Sequence, residues 1–104
     1  MGGKALAEKM KSLFETTAPA KVTKIKESVA DGNSDSLAQA AHSLKASAGQ
    51  MGALELMETA GEIEIAAECG DMELAAVKTM MLDVQLAAAV AWITETLSPT
   101  NRSQ

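Results

Sequence analysis

The chain has 104 residues, 47% apolar, 22% charged and 2% aromatic, with 14 acidic against 9 basic side chains and a formal charge of -5. That length closes one core without disulfide or metal support, and the acidic balance argues against a nucleic-acid backbone or an anionic membrane as partner. Cys69 is the single cysteine and His42 the single histidine, which excludes an intramolecular disulfide, a CxxC pair and a multi-histidine metal site.

A reducing, cytoplasmic setting is expected. The start, Met1-Gly2-Gly3-Lys4-Ala5-Leu6, has no apolar export region and puts Leu6 where a myristoylation signal needs Ser or Thr. The longest apolar run, Leu86 to Ile93, is too short to span a bilayer.

Alanine, leucine, methionine, glutamate and lysine dominate, and β-branched residues never form an alternating run, so the chain reads as all-α. Leu6, Met10 and Leu13, with Phe14 beside them, mark a first helix, and Pro19 opens a second. On that second helix Val22, Ile25 and Val29 form the apolar stripe, with Lys21, Lys24 and Lys26 on the other sides. Asp31-Gly32-Asn33-Ser34-Asp35 supplies a terminating glycine and side-chain oxygens to cap a third helix, which runs to about Gln50. Gly52 separates it from a fourth, with Leu56, Ala60, Ile63 and Ala67 on one face. After Gly70-Asp71, the residues Leu74, Val77, Met81, Val84, Ala88 and Ala91 step by threes and fours like the seam of one long bundle helix. The seven methionines read as core filler. The expected architecture is an antiparallel four-helix bundle with a short N-terminal helix packed at one end. It spans residues 4–97 and is followed by a disordered tail over 98–104.

On the third helix Leu37, Ala41, Leu44, Ala48 and Met51 fall in one arc, the core seam, and His42 points about 140° away from it. An exposed histidine is commonplace, but this one is ringed by small residues: Ala38 and Ala46 one turn to either side, Gly49 two turns ahead. A water-facing helix surface ordinarily carries Glu, Lys and Gln, so the bare ring clears space for a partner. Lys45, at i+3, is the charge expected within reach. A nitrogen nucleophile must be neutral, as a free imidazole largely is near pH 7, and needs no base to activate it. Once phosphorylated, such a ring carries close to two negative charges, part of which one lysine offsets. There is no Gly-rich phosphate loop, GxxxxGK[ST] or Ser/His/Asp set, so hydrolysis and nucleotide chemistry have no support.

The segment Ala41-His42-Ser43-Leu44-Lys45-Ala46-Ser47-Ala48-Gly49-Gln50-Met51-Gly52-Ala53 resembles the signature of the histidine-phosphotransfer (HPt) family, written around an AHxLKGxxxxxG core. The likeness extends to Leu13-Phe14 with Pro19, to the turn from Gly32 to Asp35, and to Leu56, Ala60 and Ile63-Glu64. It covers nearly all of Lys4 to Leu97. It implies that His42 is phosphorylated, that Lys45 steadies the phosphoryl group and that Gly52 marks a helix junction. The family's glycine after the lysine is Ala46 here, which adds one methyl group where a partner backbone approaches.

The resemblance further implies donors and acceptors that are receiver domains, of response regulators or of a hybrid sensor kinase, each with a phosphorylatable aspartate and bound magnesium. The carrier itself needs no cofactor and no metal, is not an enzyme, and is expected as a monomer. Ala38, Ala46 and Gly49 would dock the partner, helped by a patch of the second and third helices. The competing reading is a helical adaptor that binds receivers or other helices without carrying phosphate. A stand-alone kinase or phosphatase would need a nucleotide or metal site that the residues do not provide.

Overall fold

The computed structural model describes residues 2–97, and all the regular structure among them is helical: α1 (Gly2–Asp31), α2 (Ser34–Met51), α3 (Leu54–Glu68), α4 (Met72–Thr79) and α5 (Leu82–Leu97). The expected tail over 98–104 lies outside the described residues.

Pro19 lies inside α1 and does not separate two helices. A proline has no N–H to donate and its ring crowds the preceding turn, which costs about 3 kcal/mol in a helix interior. The helix continues because Phe14, Ala18, Val22 and Ile25 form one buried stripe through the proline, while Pro19 itself faces water. The expected short N-terminal helix is therefore the first part of a 30-residue rod. Phe14 is buried where Leu13, its neighbour, is exposed. Val22 and Ile25 are buried and Val29 packs on the core's edge, so all three face inward.

At the α1/α2 joint Asn33 caps α2 by accepting from the Ser36 amide at 3.1 Å. The two helices run antiparallel, tied by the Ser28 and Ser36 hydroxyls at 2.9 Å and by Lys21 Nζ donating to Ser47 Oγ at 2.5 Å. Leu37, Ala41, Leu44 and Ala48 are fully buried, as their spacing predicts, and so are Leu56, Ala60, Ile63 and Ala67 of α3, all at 3% exposure or less. Gly52 turns the chain between them at φ 76°, a left-handed conformation that disfavours any side chain, while the Ala53 amide closes back on the Ala48 carbonyl at 2.9 Å.

The expected long last helix is broken. Met80 and Met81 donate to Val77 and Lys78, a tightened i-3 turn, and the buried Thr79 hydroxyl donates to the Ala75 carbonyl at 2.7 Å. Such back-bonding bends helices, and α4 and α5 meet at 42°. The seam also differs from the expected one. Ala75, Thr79, Leu82, Ala89 and Ile93 are buried, with Leu86 half-buried, whereas Leu74, Val77, Met81, Val84, Ala88 and Ala91 are exposed. Both sets step by threes and fours, offset by one or two residues. The small Ala75 and Ala89 let the backbone come close to α3 and α1, which the Val and Met of the other set would prevent. No described methionine is fully buried: Met51, Met57 and Met72 pack at the core's edge, while Met80 and Met81 are exposed. No single helix among the described residues is long and apolar enough to cross a membrane.

Candidate functional site

The core stripe of α2 fixes that helix's rotation, and with it the outward direction of His42, whose side chain is 64% exposed. On the antiparallel α3, the buried Ile63 and Ala67 do the same for Glu64, which lies at the boundary between core and surface with a side chain 14% exposed. The two helices bring these residues together. His42 Nδ1 is 2.9 Å from Glu64 Oε2, and Lys45 Nζ is 2.9 Å from Glu64 Oε1. One carboxylate thus bridges an imidazole and an ammonium.

Lys45, by its hydrogen bond and its charge, and then His42 hold the Glu64 carboxyl below the ordinary carboxylate range, against the opposing effect of burial. An ionised carboxylate only accepts hydrogen bonds, so the shared hydrogen belongs to Nδ1 of His42. In the neutral ring the lone pair then resides on Nε2. The geometry selects one tautomer and leaves one nucleophilic nitrogen on an exposed ring.

Lys45 is therefore not the single charge beside His42, as the i+3 spacing suggests; Glu64 reaches both from the neighbouring helix. The spacing of α2 alone does not reveal Glu64. The family likeness includes Ile63-Glu64 without giving the carboxylate a role, and a further signal lies in Gly61, one turn before it: a mid-helix glycine costs about 1 kcal/mol and asks for a reason. A Cβ at Gly61 would stand 3.2 Å from Lys45 Cδ, so the glycine admits the lysine stem that reaches Glu64.

The three small residues around His42 are not equivalent. Ala46 is exposed, Ala38 is half-buried against the core, and Gly49 lies at the surface where a Cβ would stand 3.1 Å from Met57 Sδ. Gly49 thus also serves the packing of α2 on α3. Two grooves flank the α2 surface. One, on the α1 side, is lined by Thr17, Ala20, Lys21, Lys24 and Ser43 among others, and the other, on the α3 side, by Lys45, Leu54, Met57, Gly61 and Ile65 among others. The α1 contribution beside the site is thus Ala20, Lys21 and Lys24, on a different face from the inward Val22, Ile25 and Val29.

A family model described as Hpt domain matches residues 9–96. No curated protein and no solved structure matches the chain.

Proposed function

Because the chain belongs to the Hpt domain family, whose members serve histidine phosphotransfer in phosphorelays, we propose that His42 carries a phosphoryl group between the aspartates of receiver domains. The observation that supports this most directly is the exposed imidazole whose Nδ1 is tied to the Glu64 carboxylate. In this reading Nε2 attacks the phosphorus of an aspartyl phosphate. The N–P bond forms as the O–P bond breaks, and the aspartate leaves as a carboxylate. The ring gains positive charge as its lone pair is shared, and Glu64, hydrogen-bonded to Nδ1–H, offsets that charge where it develops. Lys45 lies on the same carboxylate, one turn from His42, and is placed to exchange part of its contact for the arriving phosphoryl oxygens.

Phosphoryl transfer asks mainly for positioning and charge stabilisation, so the chain carries the group without making it, and any metal belongs to the receiver's site. The receiver rests on the small surface around His42: Ala46 at its centre, Ala38 and Gly49 beside it. The test is incubation with a phosphorylated receiver. The chain becomes labelled on one histidine through a bond stable to alkali and lost in acid, and His42→Gln takes up no label. A His42→Gln chain labelled as well as the parent refutes the proposal.

A further inference from the structure

We propose that the outer face of α4 and α5 pairs with the same face of a second copy of this chain, in place of the monomer expected from the sequence. Leu74, Val77, Met80, Met81, Val84 and Trp92 are all exposed, from 43% for Leu74 to 79% for Met80, with the exposed Ala88 between the last two. Taking roughly 150–250 Å² for each large apolar side chain, these exposures leave on the order of 700 Å² of apolar surface, close to the roughly 800 Å² per partner of a standard interface. It also exceeds the roughly 300–600 Å² of the largest patch on a typical monomer.

The shape of the face points to the occupant. Leu74, Val77 and Met81, along and just beyond α4, and Val84 and Ala88 on α5 step by threes and fours, so the two helices, bent at 42°, each turn an apolar row outward. The bundle does not use this repeat, because the buried stripe of Ala75, Thr79, Leu82, Ala89 and Ile93 already seats α4 and α5 on their neighbours. A second copy supplies a matching repeat, and a two-fold axis makes such a surface complementary to itself. Gln85, beside the stripe, adds to this: its buried Oε1 has no donor within the described residues, and it lines an open groove of about 300 Å³ with Ala88, Trp92 and Gly52.

Charge disfavours a membrane as occupant, although α4 and α5 together are apolar enough to pass a hydropathy test for a bent span. Glu73 and Asp83 flank the face, and the nearby cations are already paired, Lys78 with Glu62 at 3.2 Å and Lys26 with Asp83 at 2.6 Å. An interfacial helix needs a basic flank that this face does not have. The pairing leaves His42 free, since α2 packs on α1 and α3 and the new surface belongs to α4 and α5.

Sedimentation equilibrium of the intact chain from about 5 to about 500 µM tests the proposal, because a two-fold pair assembles by mass action. The expected result is a mass rising from 10.8 kDa toward twice that value. Val84→Glu, a change at an exposed position, holds the mass at the monomer value while helix content, thermal midpoint and phosphotransfer rate stay at parental values. Parental chain that remains monomeric throughout overturns the proposal, as does a Val84→Glu chain that associates like the parent. Flotation of monomeric chain with phosphatidylcholine vesicles, abolished by Val84→Glu, assigns the face to lipid and overturns it too.

Discussion

Replacing Glu64 isolates the contribution of the α3 carboxylate to the transfer proposed for His42. Glu64→Gln keeps an oxygen able to accept from Nδ1–H but removes the charge that faces both the imidazole and Lys45, each at 2.9 Å. Hydrogen bonds to charged groups contribute about 1.5–3 kcal/mol, and the exposed side of this site argues for the lower end. About 1.5 kcal/mol in the transition state corresponds to a roughly tenfold slower transfer. Glu64→Ala also removes the acceptor, so it is slower still and releases the ring to both tautomers. The fold survives in each case, since the exposed ammonium of Lys45 is rehydrated and the stability cost is about 1 kcal/mol or less. The assay is the single-turnover rate of label transfer from a phosphorylated receiver, with the ¹⁵N shifts of His42 reporting the tautomer. Parental rates in both variants, with an unchanged tautomer, refute the role given to Glu64. Acid titration gives a second readout. The folded chain holds the Glu64 carboxyl below its ordinary value, so the stabilisation is complete above the ordinary carboxylate range and is lost as pH falls through the lowered value. Glu64→Gln accordingly makes the acid limb of the stability curve shallower.

Lys45→Ala slows transfer by about tenfold, some 1.4 kcal/mol, with a stability cost under about 1 kcal/mol, checked by transfer kinetics and thermal melting. Ala46→Glu folds with a helix cost of a few tenths of a kcal/mol yet blocks transfer, because bulk and negative charge meet the receiver's acidic pocket; Ala46→Gly costs about 1 kcal/mol and changes the rate little. A parental rate for Ala46→Glu shows that the small residues are not a docking surface. Pro19→Ala replaces the poorest helix former with the best and removes the ring's clash with the preceding turn, which adds about 1–3 kcal/mol and raises the thermal midpoint by several degrees. A lower midpoint shows that the proline is part of the helix's native geometry.

Helix type, the joints at Gly32, Gly52 and Gly70, and the core faces of α2 and α3 are all legible from residue spacing, because each depends on local chemistry or on an apolar stripe with no rival. Pro19 misleads because propensity is a local quantity, and the burial of Phe14, Ala18, Val22 and Ile25 outweighs it. The last two helices mislead for a different reason: they carry two apolar stripes of the same period, and spacing alone does not say which one meets the core. At the site, His42 and Lys45 stand out because they share one helix. Glu64 is a contact across helices: the family likeness takes in Ile63-Glu64 without giving the carboxylate a role, and Gly61, a glycine placed where α3 has no turn to make, marks the approach of Lys45 to it.

The paired stripes of α4 and α5 also bear on how the chain finds its native state. Rotating these helices by about 150° about their axes would exchange one stripe for the other at the core, so the energy gap to this misregistered packing is narrower than for α2 or α3. The ion pairs Lys26–Asp83 and Lys78–Glu62 form in one rotation and break in the other. Worth little to stability on an open surface, they act here as a discriminator between two collapsed states. Their removal therefore roughens the folding landscape more than it lowers the melting temperature, and its signature is a slow refolding phase absent from the parent.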